Sequence, residues 1–133
     1  MQLTDQFDRK INYLRVSVTD RCDLRCVYCM KEKMIFQPKK EILSLEEICR
    51  LCDNFIDLGI NKIRLTGGEP LVRKDILKLI KKINTRKKFT NLKEITLTTN
   101  GTLLDIFAKD LKKNGIDRIN VSLDTIDNNM YKK

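Results

Sequence analysis

Cys22, Cys26 and Cys29 stand in the order C-x3-C-x2-C directly after the alternating run Tyr13 to Thr19. Three thiols this close together can hold a soft metal, and ligand type alone leaves iron–sulfur, zinc and copper(I) open. A bacterial-type ferredoxin uses C-x2-C-x2-C with a fourth cysteine from elsewhere, and a structural zinc site pairs two C-x2-C knuckles. Neither pattern is completed here. The spacing points instead to an iron–sulfur cube with one iron left without a protein ligand.

A second stretch that could do chemistry is Gly67-Gly68-Glu69-Pro70. Two residues without Cβ atoms let backbone approach a ligand closely, and the Glu69 carboxylate can accept a hydrogen bond from an ammonium group. By itself a double glycine before Glu-Pro is also a common turn. Cys49 and Cys52 form another C-x2-C pair, but redox pairs of that spacing sit at a helix N-terminus, where the dipole lowers the thiol pKa. This pair falls within an apolar helical stripe and reads as two small buried hydrophobes.

The elements that must position these residues repeat one pattern. Leu14, Val16 and Val18 alternate with Arg15, Ser17 and Thr19, the period-2 signature of a strand with one face in a core. Ser44-Leu45-Glu46-Glu47 forms a capping box and opens a helix over 44–58 that Gly59 stops. A strand over Lys62 to Thr66 follows, then Gly67 to Pro70 and a helix over Asp75 to Asn84. A third strand over Glu94 to Thr98 ends at Thr99-Asn100-Gly101, a helix over Leu104 to Lys113 ends at Asn114-Gly115, and Arg118 to Leu123 is a fourth strand. Four strands alternating with three helices predict an α/β fold of parallel strands joined by right-handed crossovers. Eight such units would need about 250 residues, so this chain makes at most an arc of a barrel. Cys22 to Cys29, Gly67 to Pro70, Thr99 to Gly101 and Ser122 to Asp124 all follow strand C-termini, which places them on one rim.

At 133 residues, 41% hydrophobic and 34% charged, the chain fits one ordinary globular domain. No apolar leader and no long apolar run is present, so a cytoplasmic protein without a membrane partner is expected. Five cysteines, three of them crowded together, argue for a reducing compartment rather than a disulfide framework. The net charge of +9 is densest at Lys81, Lys82, Arg86, Lys87 and Lys88. With only Phe89 beside them these residues read as a solvated helix end, and nucleic acid is not an expected partner.

The cysteine spacing, with Tyr28 before the last cysteine, resembles the radical S-adenosylmethionine superfamily. Its iron with an open position takes the amine and carboxylate of S-adenosylmethionine. Four runs narrow the resemblance: Leu14 to Cys22, Ile63 to Leu71, Leu97 to Gly101 and Ile119 to Asp124. Together they are similar to the GTP 3′,8-cyclase family, from Tyr13 to Met130. The resemblance implies one [4Fe-4S] cluster on Cys22, Cys26 and Cys29, S-adenosyl-L-methionine contacts from Tyr28, Gly68 and Ser122, and GTP contacts from Arg15, Arg64 and Thr98. It implies no catalytic residue beyond the cluster and S-adenosylmethionine. A 5′-deoxyadenosyl radical would take the ribose 3′ hydrogen of GTP, and the sugar radical would close onto C8 of guanine. The product would be (8S)-3′,8-cyclo-7,8-dihydroguanosine 5′-triphosphate, the first step of molybdenum cofactor biosynthesis. A reducing donor such as flavodoxin and a downstream cyclic pyranopterin monophosphate synthase would be its partners.

Family members are longer, complete a partial barrel of TIM type and carry a second three-cysteine cluster for the guanine. Residues 1–133 are therefore expected to be the N-terminal arc, about four βα units, of a truncated radical SAM core domain. Two alternatives remain. One is a related radical enzyme acting on a peptide or cofactor precursor, and the other is a basic module that binds zinc and nucleic acid.

Overall fold

The computed structural model describes residues 2–31 and 33–131. Four strands, β1 (Tyr13–Ser17), β2 (Lys62–Thr66), β3 (Glu94–Thr99) and β4 (Arg118–Val121), form one parallel sheet in the order β1-β2-β3-β4. Helices α1 (Leu45–Asp57), α2 (Ile76–Thr85) and α3 (Leu104–Asn114) connect them. A strand order that never reverses is the α/β arc expected from the alternation.

The two faces of the sheet differ in chemistry. Val16, Ile63, Leu65, Ile95 and Leu97 point to one side and share a single core with Ile48, Cys52, Ile56, Leu79, Ile80, Ile83 and Leu111 of the helices. Each strand residue between them is polar, so the opposite face carries Arg15, Lys62, Arg64, Glu94, Thr96, Thr98 and Arg118. Parallel pairing places Arg15, Arg64, Thr96 and Arg118 in one row. In the row before it, Glu94 joins Lys62 (2.9 Å) and also reaches Arg118 (2.6 Å).

The helix ends follow from local chemistry. Ser44 caps α1 through Glu47 N–H (3.2 Å), while the Glu47 carboxylate accepts Ser44 N–H (2.8 Å), which is the capping box expected from the sequence. These bonds hold the Glu47 carboxyl below its ordinary pKa. Helix α2 starts one residue later than the pattern indicates, because Asp75 adopts φ 61° and is its cap.

Other boundaries shift as well. β1 stops at Ser17 rather than Thr19, because the Thr19 carbonyl turns to accept Gly68 N–H (2.8 Å) and its hydroxyl accepts Arg21 N–H (3.1 Å). β3 runs on to Thr99, and β4 ends at Val121 instead of Leu123. A short helix α4 (Asn128–Tyr131) follows that the sequence pattern did not reveal.

The basic cluster at the end of α2 is only partly a solvated face. Arg86 reaches Asp53 (3.1 Å) and Asp57 (2.6 Å) on α1, and Lys87 reaches Asp117 (2.5 Å) ahead of β4. Arg86 and Lys87 therefore join separate elements, while Phe89 is exposed.

Candidate functional site

The loop after β1 is braced by its own side chains. Arg25 donates to the carbonyls of Cys22 (2.6 Å) and Leu24 (2.9 Å), and Arg21 and Arg25 lie 5.5 and 5.4 Å from the Phe36 ring centre. Cys29 N–H and Met30 N–H both bond to the Cys26 carbonyl (2.9 and 3.0 Å), a tight turn that keeps the last two cysteines close. Gln37 N–H bonds to Asp20 (2.7 Å), which returns the segment beyond the cysteines to the end of β1.

Cys22, Cys26 and Cys29 line one hollow of about 320 Å³ together with Ser17, Asp20, Gly67 and Gly68. A larger cavity of about 580 Å³ opens beside the starts of α1 and α2. It is walled by lysine and arginine stems and brings together no thiol or other soft donor, so the cysteine hollow is the candidate site.

The double glycine serves the chain before it serves a ligand. A Cβ on Gly67 would lie 2.5 Å from the Thr19 carbonyl oxygen, and one on Gly68 would lie 2.2 Å from that of Arg21. Gly68 and Glu69 N–H groups bond to those same two carbonyls, at 2.8 Å each. The glycines thus let the loop after β2 press against the loop after β1.

Glu69 also differs from expectation. It is 1% exposed, and its carboxylate accepts Leu71 N–H (3.0 Å), Thr99 O–H (2.9 Å) and Asn100 N–H (2.7 Å). Rather than presenting an open carboxylate, it fastens the second rim loop to the third.

Asn100 then contacts the first loop. Its side-chain amide donates to Asp23 (2.8 Å) and to Cys22 Sγ (3.8 Å), while Thr102 O–H also bonds to Asp23. Burial acts to raise the Asp23 pKa, but the bonds from Thr102 and Asn100 outweigh it and hold the carboxyl low. Burial pushes the Cys22 thiol up, and the charges of Asp23 and Glu69 add to that. A bound cation reverses such a shift by favouring the thiolate. Asp23 and Asn100 lie in stretches the sequence places on the rim, but their contacts with each other and with Cys22 and Thr102 were not legible, since each is an ordinary turn residue.

Tyr28 leaves the hollow and donates its hydroxyl to Asp124 just beyond β4, 2.7 Å from both carboxylate oxygens. That bond, ahead of any burial, pushes the Tyr28 pKa up to about 12. Ser122 lies at the same rim, its N–H on the Thr99 carbonyl (2.8 Å). Arg15 and Arg64 sit at the midpoints of β1 and β2, side by side in the register. Arg64 lies over the Tyr13 ring (5.9 Å) and donates to Thr98 (3.3 Å). Ser17 belongs both to this polar face and to the cysteine hollow, so the two are continuous.

Cys49 and Cys52 lie apart from all of this, against the core. Cys52 is fully buried, and burial raises its thiol to about 12. This matches the reading of the pair as small hydrophobes.

Among the described residues no three His, Cys, Asp or Glu side chains converge as a single metal ion requires. An iron–sulfur cube makes a different demand, because each cysteine binds its own iron and the sulfurs need only surround one hollow. Three soft donors around this one suit such a cluster. Asp20, on the same lining, keeps one carboxylate oxygen buried without a partner, an acceptor available to a donor group.

A parallel βα arc with a three-cysteine hollow at its rim has a direct counterpart among known families. The chain belongs to the radical SAM superfamily, whose family model matches residues 16–133. Membership brings S-adenosylmethionine and iron–sulfur chemistry in general. More particularly, it is 58% identical over 127 residues to a GTP 3′,8-cyclase of Mesorhizobium japonicum, covering 96% of this chain and 38% of that protein. It is likewise 58% identical over 126 residues to one of Nitrobacter winogradskyi, covering 95% and 37%. The chain thus spans well under half the length of these relatives.

Solved structures share the fold. Streptococcus suis SuiB, bound to the precursor peptide SuiA, superposes with a TM-score of 0.70 at 23% identity, over 90% of this chain and 26% of that one. BtrN, in complex with AdoMet and 2-DOIA, gives 0.57 at 20% identity, over 83% and 44%. No helix among the described residues is long and apolar enough to cross a membrane.

Proposed function

We propose that residues 1–133 form the cluster-binding and S-adenosylmethionine-binding arc of a GTP 3′,8-cyclase acting at the first step of molybdenum cofactor biosynthesis. The observation that carries this is the 58% identity to proteins of that name along nearly the whole chain. Cys22, Cys26 and Cys29 are the residues that would hold one [4Fe-4S] cluster. Bound there with S-adenosylmethionine, the cluster supplies a 5′-deoxyadenosyl radical able to take hydrogen from an unactivated carbon.

The chain's own part is to seat and orient. Gly68, Ser122 and Tyr28 take S-adenosylmethionine at the rim, and the Tyr28 hydroxyl also ties the cysteine loop to Asp124. Arg15, Arg64 and Thr98 take GTP. Two adjacent guanidinium groups in one row are unfavourable for a sheet by themselves. Among the described residues neither Arg15 nor Arg64 makes an ion pair, and Arg64 Nε–H is buried without a partner. A triphosphate would answer both needs, since guanidinium forks match phosphate oxygens. The enzyme works in the cytoplasm, receives electrons from a flavodoxin-like donor, and passes its product to cyclic pyranopterin monophosphate synthase.

Anaerobic reconstitution with iron and sulfide tests this reading. The expected result is a brown protein that releases 5′-deoxyadenosine from S-adenosylmethionine when reduced and that binds GTP. A colourless protein holding zinc would overturn it. Release of 5′-deoxyadenosine without any GTP binding would move the substrate to the peptide or cofactor-precursor alternative.

A further inference from the structure

Asn100 stands where three rim loops meet, and its backbone N–H and both ends of its side-chain amide are engaged. Its backbone N–H is held by the buried Glu69 carboxylate at 2.7 Å. Its side-chain oxygen accepts Thr102 N–H at 3.0 Å, an Asx turn that leads into α3. That bond decides which end of the amide faces which way, and the NH2 end is directed to Asp23 Oδ1 (2.8 Å) and Cys22 Sγ (3.8 Å). A turn-forming asparagine needs only the oxygen contact. Placing the NH2 group between a thiol and a carboxylate goes beyond what the turn requires.

We propose that Asn100 is a positioning residue for the iron–sulfur cluster: it orients Cys22, donates an N–H···S hydrogen bond to it, and so makes the cluster easier to reduce. This rests on the reading of Cys22, Cys26 and Cys29 as cluster ligands. The physical reason lies in where the added electron goes. Negative charge grows on the cluster and its sulfur ligands upon reduction, and an N–H dipole aimed at one of them stabilises the reduced form. Asp23 beside Cys22 opposes this with its own charge, and Asn100 and Thr102 keep that carboxylate hydrogen-bonded. Removing the Asn100 side chain deletes the donor and frees the carboxylate, so both changes disfavour reduction.

The test compares the reconstituted wild-type chain with Asn100→Ala and with Asn91→Ala, an exposed asparagine outside the site. Iron and sulfide content is measured first, followed by the midpoint potential from a redox titration monitored by electron paramagnetic resonance. Asn100→Ala is expected to hold the same iron at a more negative potential, with Asn91→Ala unchanged. Equal iron at the wild-type potential would overturn the proposal.

A second measurement needs no cluster. In the metal-free chain, Cys22→Ala is expected to shift the side-chain amide resonances of Asn100, whereas Cys29→Ala leaves them in place. Resonances indifferent to Cys22→Ala would overturn the positioning role even if Asn100→Ala binds no iron. A wild-type chain that assembles no cluster overturns the functional reading and with it the redox half of the proposal, while the resonances still decide whether Asn100 holds Cys22.

Discussion

Gly68 faces the carbonyl oxygen of Arg21 so closely that a Cβ at Gly68 would lie 2.2 Å from it. Arg21 precedes the first cysteine, so this contact sets how the cysteine loop leaves β1. Gly68→Ala is expected to displace that backbone, lower stability by about 1–3 kcal/mol, and reduce iron uptake. Urea unfolding and iron analysis check both effects; unchanged iron uptake would show that the loop position does not depend on this contact.

Glu69→Gln replaces a buried acceptor with a group that is half donor. Whichever way the amide turns, its NH2 end meets Asn100 N–H or the donors from Leu71 and Thr99. A loss of about 1–3 kcal/mol is expected, measured by urea denaturation.

The Tyr28 hydroxyl is expected to titrate near pH 12 instead of near its ordinary 10, because its bond to Asp124 favours the protonated form. The sign follows from a folded pKa above the unfolded one. The contact is intact below pH 10 and is lost as pH rises toward 12. The phenolate absorbance missing from Tyr28→Phe identifies the group, and Asp124→Asn should bring its titration back down.

Cys52→Ser places a hydroxyl in an apolar site and is expected to cost about 1–3 kcal/mol. Reconstituted iron per chain should not change, nor should it for Cys49→Ala. Loss of iron in either variant, with folding intact, would give the pair a role at the cluster.

On the proposed function, Arg15→Gln and Arg64→Gln should each weaken GTP binding about tenfold, the loss of one charge-assisted hydrogen bond. Calorimetric titration of GTP and guanosine separates causes: guanosine binding should barely change if the arginines act on phosphates.

The fold was legible wherever the pattern was local. Period-2 alternation after Tyr13 and the Ser44–Glu47 box needed only neighbouring residues, and the structure contains both, with the strand ending at Ser17. The cysteine spacing likewise marked the hollow. What stayed hidden depends on partners distant in sequence. Arg86 looks like part of a solvated basic run until Asp53 and Asp57 come beside it, and Glu69 looks free until Thr99 and Asn100 close on it. The placement of Arg15 beside Arg64 required the register of β1 on β2, which no single strand encodes. Residues that could make several kinds of turn, such as Asn100, disclose their role only when the loops are assembled.

The unreversed strand order has a consequence for biosynthesis. Each of β2, β3 and β4 pairs with the strand before it in the chain, so the order of synthesis can also be the order of assembly. A chain emerging from the ribosome N-terminus first can dock each unit onto the one before it, without holding an earlier strand open for a later partner. The cysteine loop is then closed by Gly68, Glu69 and Asn100 before anything beyond β4 is required. The cysteine hollow would thus be finished as soon as the loop after β3 is in place.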